Sequence, residues 1–262
     1  MKPTLLNIHH GFNFRDLGGY LGTDQKHIKA HKLIRSGKMD LLSDRDIKFL
    51  SDYGVKYDVD FRSPEELRVA PDRVPAGANY YHLPVFQTDE TQVSKTRSEE
   101  EVEFAADAQG GRKSMMQTYS EMVLLPHAQK AYRQFFDLLL SNGADNSALL
   151  FHCAAGKDRT GMGAVYLMSA LGVEETTIRQ DYITTNDYIQ TPLQEMMAKV
   201  HADGRNQNFV QSIRDLWTVK EDYIDTALAA IRDNYGDMHR YLNEVMELSD
   251  EQLQDLQKIY LE

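Results

Sequence analysis

Apolar residues recur along this chain at two spacings, and the spacing changes between its first part and its last. Short apolar runs between turn residues predict strands at residues 32–35, 56–61, 80–85 and 147–151. The last run is continuously apolar, which is typical of a strand at the centre of a sheet. Between the first two runs, Ser43 predicts the start of a capped helix that ends near Gly54.

Helical spacing governs the later part of the chain. One predicted helix precedes residue 147, a second follows the central strand, and only helices follow residue 174. Most of these helices stop at a glycine: Gly143, Gly172, Gly204 or Gly236. Thr191 followed by Pro192 predicts a helix start, and Ser249 with Gln252 predicts a capping box. Strands early and helices late predict an α/β core with a helical C-terminal extension.

We find no internal repeat, and we expect residues 1–262 to form a single domain. Residues 87–118 interrupt the pattern as a polar, acidic insertion. They fit a solvated loop or helix, or a mobile flap over a site. Residues 191–236 fit either ordinary core helices or a helical lid.

Composition narrows the functional classes. The 262 residues include 40 acidic and 29 basic side chains, a net charge of −11, which argues against general nucleic-acid binding. A single cysteine, Cys153, excludes an intramolecular disulfide and a multi-cysteine zinc site. No apolar run is long enough for a signal peptide or a membrane helix. We therefore expect a cytoplasmic protein with no integral membrane segment, and signal-less secretion is left open.

The only cysteine lies directly after the predicted central strand, in the segment His-Cys-Ala-Ala-Gly-Lys-Asp-Arg-Thr-Gly at residues 152–161. A loop that closes onto a helix N-terminus directs backbone N–H groups into one concavity. The small residues Ala154, Ala155 and Gly156 let that backbone approach a ligand closely. Arg159, six positions after the cysteine, can bind two oxyanion oxygens at once. These features predict a cradle for a tetrahedral phosphate.

The same positive potential favours a thiolate at the base of the cradle. A thiolate under a bound phosphate is a nucleophile directed at phosphorus. A Walker A loop is excluded, because Asp158 follows Gly156-Lys157 where that motif needs serine or threonine. Two alternatives remain: a rhodanese-type sulfurtransferase, which also uses a cysteine loop, and a phosphate-binding module with poor or no catalysis.

Three segments resemble one protein family. The loop resembles the H-C-x5-R-[ST] motif of cysteine-dependent tyrosine phosphatases. Its longer form H-C-x-A-G-K-D-R-T-G is similar to an atypical bacterial branch with mycobacterial and listerial triple-specificity phosphatases. Residues 13–20 (N-F-R-D-L-G-G-Y) and 59–66 (V-D-F-R-S-P-E-E) resemble two further elements of that branch. The resemblance implies the cysteine-phosphatase fold, with a mostly parallel central sheet flanked by helices.

The resemblance also implies residue roles. Cys153 is the implied nucleophile, and Arg159 is the implied phosphate ligand. Thr160 would hydrogen-bond the sulfur, and His152 would orient the cysteine. Lys157 matches a lysine that this branch shares with phosphoinositide phosphatases. Many of those lipid enzymes carry a second lysine directly after the cysteine, and Ala154 stands at that position here.

The general acid is open between two aspartates. The tryptophan–proline–aspartate loop of ordinary tyrosine phosphatases is absent, because Thr218 follows the only tryptophan, Trp217. Asp158 lies inside the phosphate loop, and we favour it slightly. Asp60 ends a predicted strand, where ligands of open α/β sheets gather, but a salt bridge to Arg62 or Arg159 would give it a structural role.

The expected activity is that of a protein-tyrosine phosphatase with a cysteinyl-phosphate intermediate. Phosphoserine, phosphothreonine and phosphoinositides are possible further substrates. The partner is thus a phosphorylated protein or phosphoinositide; we expect no metal, no other cofactor and no nucleic acid, and the oligomeric state is unknown. The supporting residues, which contact the phosphate loop or brace its surroundings, are His152, Arg62, Asn13, Arg15 and Asp16.

Overall fold

The computed structural model of the protein describes residues 3–87 and 98–262. Six strands form one sheet: β1 (Thr4–Leu5), β2 (Arg15–Asp16), β3 (Leu33–Ser36), β4 (Val55–Asp60), β5 (Asn79–His82) and β6 (Ala148–His152). The α-helices of the first half are α1 (Asp44–Tyr53), α2 (Pro64–Val69), α3 (Ser98–Ala106), α4 (Gly110–Leu124) and α5 (Pro126–Ser141). Those of the second half are α6 (Arg159–Ala170), α7 (Glu175–Tyr188), α8 (Gln190–Ala202), α9 (Gln207–Trp217), α10 (Glu221–Tyr235), α11 (Met238–Glu244) and α12 (Asp250–Tyr260).

The sheet has the strand order β1-β2-β3-β6-β4-β5. The pairs β3–β6, β6–β4 and β4–β5 are parallel, and the pairs β1–β2 and β2–β3 at one edge are antiparallel. This confirms the mostly parallel central sheet. Because β6 lies between β3 and β4, its carboxyl end, where Cys153 follows, is flanked by the ends of two parallel strands.

Side chains alternate between the two faces of this sheet, as strand geometry requires. On β6, Leu149 and Phe151 enter the larger core beneath α4, α5 and α6, whereas Leu150 enters a smaller core that includes Leu50 of α1. Both faces of the central strand are therefore buried, which explains its continuous apolar sequence.

Most predicted elements are confirmed, and helix α1 shows why. Ser43 and Asp46 form a reciprocal capping box at its start, and Gly54 ends it with φ at 95°. The capping box at Ser249 is also present. The predicted helix start at Thr191 is wrong: α8 begins at Gln190, and the N–H of Leu193 bonds to Ile189. Pro192 fits within that first turn because its position needs no N–H donor there.

The polar insertion is only partly described, because residues 88–97 lie outside the described ranges. Its remainder is helical, in α3 and the start of α4. The part of the insertion in α4 packs closely against α9. Met115 is buried, and a Cβ on Gly111 would lie 2.3 Å from the carbonyl oxygen of Ser212. The described part of the insertion is therefore helical, as one of the two interpretations has it, and the flap interpretation stays a prediction. No helix in the described ranges is long and apolar enough to cross a membrane.

Candidate active site

The predicted phosphate loop connects the end of β6 to the start of α6. Cys153 directly follows the strand and is 1 % exposed. Arg159 is the first residue of α6, so the helix N-terminus points toward the loop. The fold thus brings a thiol, an arginine and the positive end of a helix dipole together, as the sequence predicts.

The loop backbone is fixed through its carbonyl oxygens. Asn13 Nδ2 donates to the carbonyls of Ala155 (3.0 Å) and Gly156 (2.9 Å), and Arg35 donates to Gly156 at 2.9 Å. The backbone N–H of Lys38 donates to Ala154. The N–H groups of residues 154–157 donate to no acceptor among the described residues. The protein thus binds the carbonyl groups of the loop and leaves its N–H groups available to donate to an anion, as an anion-binding loop requires.

Gly156 is required by close backbone contact. Its φ is +67°, and a Cβ would lie 2.2 Å from the carbonyl oxygen of Ser36 at the end of β3. Any side chain there would push the loop away from the sheet. Asn13 also has a positive φ, 62°, and its side chain reaches the loop from that turn.

Arg159 is oriented by a buried carboxylate that the sequence reasoning did not assign. Its two terminal nitrogens donate to the two oxygens of Glu66 at 2.6 and 2.8 Å. Glu66 itself is fixed by the capping box of α2, in which Ser63 is the N-cap and the Glu66 carboxylate accepts from the backbone N–H of Ser63. Burial alone raises the pKa of Glu66, but the charge of Arg159 and the hydrogen bonds from Arg159 and Ser63 together outweigh burial and lower that pKa. The signal was present in the sequence as a capping box, Ser63 followed three residues later by Glu66.

Thr160 is fully buried, and its hydroxyl has no hydrogen-bond partner among the described residues. The bond to the Cys153 sulfur that the resemblance implies is therefore not formed in this structure. The hydroxyl lies one residue after Arg159, at the start of α6.

Asp60 is held by several donors at once. Its carboxylate makes a two-pronged pair with Arg62, with contacts of 2.7–3.1 Å, and accepts from Tyr80 at 2.8 Å. Although burial alone raises it, the charges of His152 and Arg62 hold the pKa of Asp60 well below its usual range. This geometry matches the salt-bridge alternative for Asp60.

His152 lies in a buried acidic cluster behind the cysteine. Its Nε2 is 3.2 Å from Asp58 and 3.1 Å from Asp72, and its Nδ1 is 3.3 Å from the carbonyl of Cys153. Burial opposes a charge here, but Asp72 and Asp60 dominate and raise the pKa of His152 well above its usual range. The imidazolium thus places a positive charge directly behind the nucleophile.

The same cluster has the donor set of a metal site. Ligand atoms of Asp58, Asp72 and His152 lie within 4.8 Å of one another. Arg62 already donates to Asp72 at 2.7 Å, and the charged His152 occupies the space between the carboxylates. These cations neutralise most of the charge that would attract a metal ion.

Asp158 makes one contact through each carboxylate oxygen. Oδ2 accepts from Lys157 Nζ at 2.6 Å, and Oδ1 accepts from the hydroxyl of Tyr119 at 2.9 Å. All three side chains are buried. The sequence reasoning missed Tyr119, which directly follows the acidic insertion and is 39 residues from its partner.

Of the N-terminal motif residues, only Asn13 contacts the loop directly. Arg15 donates to Thr185 at 3.1 Å and lies 3.7 Å from Asp181 on α7. Asp16 accepts from backbone N–H groups and from Tyr53, which shapes the turns around β2. Arg15 and Asp16 therefore brace the surroundings of the loop.

Asp181 connects α7 to Arg35, one of the residues that hold the loop backbone. It accepts from Arg35 at 2.7 Å, and Arg35 in turn holds the Gly156 carbonyl. Asp181 is buried, so its carboxylate is one of the buried polar groups around the loop. Its partner lies 146 positions away, and the local sequence carries no signal for this pair.

A cavity of about 450 Å³ lies beside the loop. Its lining includes Ala154 of the loop, Arg62 and Glu66, and the helices α8 and α9 form its other wall. That wall consists of Pro192, Glu195, Met196, Lys199 and Trp217, which we call the helical cover. The arrangement can bind an oxyanion at the loop and place an attached organic group in the cavity.

Comparison with known proteins agrees with this chemistry. Residues 6–262 match the tyrosine phosphatase family. A Cupriavidus necator protein, provisionally named a tyrosine-protein phosphatase, is 29% identical over 244 residues, 92% of this chain and 84% of that protein. The triple specificity protein phosphatase PtpB of Mycobacterium tuberculosis is 24% identical over 258 residues, 89% and 91% of the two chains.

A tyrosine-protein phosphatase of Nostoc commune is 27% identical over 165 residues, 62% of this chain and 51% of that protein. All three relatives are named as phosphatases and none as a sulfurtransferase or binding module. The family match spans nearly the whole chain and includes all three motif segments. The chain therefore belongs to the tyrosine phosphatase family, and its function is that of a phosphatase.

Proposed function

We propose that this phosphatase works without a metal ion, through a phosphoryl group carried on Cys153. The observation that carries the proposal is the loop itself. Its carbonyl groups accept hydrogen bonds from Asn13 and Arg35, and its N–H groups remain available to bind a phosphate next to the buried thiol. Arg159, held by Glu66, stabilises the equatorial oxygens in the transition state. Lys157 and Thr160 complete the phosphate site.

The reaction has two steps. In the first, the Cys153 sulfur attacks phosphorus, the ester P–O bond breaks, and a protonated aspartate gives its proton to the leaving oxygen. In the second, water attacks phosphorus, the S–P bond breaks, and the same aspartate takes the proton from water. Inorganic phosphate and the Cys153 thiolate result, and the aspartate has regained the proton that it gave up in the first step.

We assign the acid role to Asp158 and a positioning role to Asp60. Asp60 accepts from Arg62, from Tyr80 and from a backbone N–H, and its pKa is held low, so it is poorly placed to carry a proton. Asp158 has a single donor on each oxygen and lies in the loop.

Leaving-group dependence tests this assignment. Asp158→Asn should lower kcat/KM about 100-fold for phenyl phosphate, whose leaving group needs protonation, and far less for p-nitrophenyl phosphate. Asp60→Asn should lower both by a similar factor. The reverse pattern would transfer the acid role to Asp60.

The cavity supports an aryl phosphate as the preferred substrate. Apolar side chains of Phe12, Met196 and Trp217 line it, and its volume of about 450 Å³ accommodates a phenol ring. Phosphotyrosine on a protein is therefore the proposed main substrate. Phosphoserine, phosphothreonine and singly phosphorylated phosphoinositides are proposed further substrates. Highly phosphorylated inositols are disfavoured because Ala154 supplies no second lysine.

We further propose that residues 1–262 act as one domain in which the helical cover is a lid. The support is that Cys153 is 1 % exposed while the cover forms one wall of the neighbouring cavity. Substrate entry then requires α8 and α9 to move. A cytoplasmic location is proposed because the mechanism needs Cys153 as a free thiol.

A substrate panel in the presence of EDTA tests the proposed function. It contains phosphotyrosine, phosphoserine and phosphothreonine peptides and phosphoinositides with one to three ring phosphates. Turnover should survive chelation, be highest for phosphotyrosine, and disappear in Cys153→Ser. Activity lost on chelation, or retained in the variant, would contradict the mechanism.

A further inference from the structure

A chain of two tyrosine hydroxyls ends on the proposed general acid. Tyr182 donates its hydroxyl to the oxygen of Tyr119 at 2.7 Å, and Tyr119 donates to Asp158 Oδ1 at 2.9 Å. Tyr119 lies on α4, Tyr182 on α7 and Asp158 in the loop before α6. Three elements far apart in sequence thus meet at one carboxylate oxygen.

The direction of this chain is fixed by burial. Both tyrosines are buried, and burial, followed by the negative charge of Asp158, raises their pKa values well above the usual range. Both hydroxyls therefore keep their protons. Because Tyr119 donates its single proton to Asp158, Tyr182 must be the donor in the bond between the two tyrosines, and each bond strengthens the other.

The rings are also fixed by packing. Tyr119 packs edge-to-face on Tyr182, with ring centroids 6.1 Å apart, and lies 5.7 Å from the ring of Tyr223. Tyr182 borders Gly161, where a Cβ would lie 3.4 Å from its ring. Neither tyrosine can change rotamer without disturbing the start of α6 or the packing of α10.

The two oxygens of Asp158 are thereby made unequal. Oδ1 accepts a hydrogen bond from a tyrosine hydroxyl fixed by ring packing, whereas Oδ2 accepts from the ammonium of Lys157 at 2.6 Å. A carboxylic acid carries its proton on one oxygen only, and the other stays a hydrogen-bond acceptor. Tyr119 can continue to donate to Oδ1 in both protonation states of Asp158.

We propose that Tyr119, backed by Tyr182, is a positioning residue that holds Asp158 Oδ1 so that Oδ2 delivers the proton to the leaving group. This inference rests on the proposed acid role of Asp158. Lys157 turns from Oδ2 to the substrate phosphate, and Oδ2 then carries the proton that passes to the ester oxygen as the P–O bond breaks. In the second step, Oδ2 takes the proton from the attacking water.

Tyr119→Phe tests the proposal, because it removes the donor and keeps the ring. For phenyl phosphate, kcat/KM should fall about tenfold, the order expected when a charged group loses one hydrogen bond. For p-nitrophenyl phosphate the fall should be less than about threefold, because a good leaving group needs little protonation. In Asp158→Asn, adding Tyr119→Phe should produce no further leaving-group dependence.

Tyr241→Phe is the matched control. Tyr241 is also fully buried and also uses its hydroxyl in a hydrogen bond, donating to the carbonyl of Val123 on α4 at 3.0 Å and not to Asp158. Tyr241→Phe should lower stability by an amount similar to that of Tyr119→Phe, measured by thermal unfolding. Its effects on kcat/KM should be small and equal for phenyl phosphate and p-nitrophenyl phosphate. A Tyr119→Phe profile like that of Tyr241→Phe would overturn the positioning role even if Asp158→Asn shows leaving-group dependence. If Asp158→Asn itself slows both substrates equally, the proposed acid role fails instead.

Discussion

The phosphate loop is contacted on one side by buried polar groups and faced on the other by a wall that is only partly polar and includes Pro192, Met196 and Trp217. On the first side, Asn13 and Arg35 bond to loop carbonyls, and Glu66 holds Arg159; we call these three residues the loop support. On the second side, the helical cover faces the loop across a cavity lined by Met196 and Trp217.

This difference separates two tasks. Buried charges with good partners resist rearrangement, because removing one partner leaves an uncompensated charge. The loop support can therefore keep the phosphate site in one arrangement before substrate arrives, as electrostatic catalysis requires. Apolar packing is not directional and permits opening and closing. Changes in the loop support should affect transition-state stabilisation, and changes in the helical cover should affect substrate entry and binding.

The largest effect is expected from Glu66→Gln. Arg159 would lose its charged partner and its two-pronged alignment, so kcat/KM should fall about 100-fold. Steady-state kinetics on phosphotyrosine peptide would measure it. Glu175→Gln, which removes an exposed carboxylate paired with Arg179, is the control and should change activity less than about twofold. If Glu66→Gln changed activity as little as Glu175→Gln does, the loop support would not be responsible for transition-state stabilisation.

A second test addresses the buried charges behind His152. Burial raises the pKa of Asp58 to about 6 from 3.8. The folded state therefore binds this proton more tightly than the unfolded state, so the free energy of unfolding falls as pH rises from about 4 to about 6. The loss attributable to Asp58 is at most about 3 kcal/mol.

Asp58→Asn removes that titration. Relative to the wild type, the variant should gain about 2 kcal/mol of stability between pH 4.5 and 6.5, measured by urea unfolding. His152 contributes equally across this range, because its raised pKa adds stability that is fully present below its unfolded value. A difference that stays constant with pH would show that Asp58 does not titrate there.

Asn13→Ala should have an intermediate effect. Two hydrogen bonds to loop carbonyls are lost, and the Ala155–Gly156 backbone can then drift, so we expect kcat/KM to fall about tenfold. Asn142→Ala is the matched control, since Asn142 is also buried and donates to the carbonyl of Ser147, away from the loop. The control should lose stability but not activity. Equal activity losses would mean that Asn13 acts only through stability.

The smallest effect is expected in the helical cover. Trp217→Ala should raise KM for aryl phosphates about threefold to fivefold with little change in kcat, because it removes the largest apolar side chain of the helical cover. Iodoacetamide should also alkylate Cys153 faster in this variant. Trp217→Phe should preserve most of the affinity. A kcat loss as large as that of Asn13→Ala would place the cover within the catalytic support.

The sequence predicted the parts that depend on local patterns. Helix α1 begins after Ser43 and ends at Gly54 as predicted, because capping is a short-range interaction. The loop at residues 152–161 follows the strand that the apolar run at residues 147–151 predicts. Asn13 was recognised through its motif, although only the fold reveals that it bonds to the loop carbonyls.

The remaining features depend on contacts between distant segments. Tyr119 lies in a region with an acidic, polar sequence, and nothing local indicates that its hydroxyl reaches Asp158. Asp72 follows α2 in an irregular segment, yet it lies 3.1 Å from His152. Hydrophobic periodicity indicates which face of a helix or strand is buried, but it does not identify the polar side chain that pairs with a buried charge.

Detection of the phosphoryl-enzyme tests the central claim most directly. The protein is mixed with a phosphotyrosine peptide, quenched in acid within the first turnovers, and examined by intact-mass and peptide mass spectrometry. We predict one added phosphoryl group on the peptide that contains Cys153, lost on further incubation and absent in Cys153→Ser. Turnover without this adduct, continuing in Cys153→Ser, would contradict the mechanism.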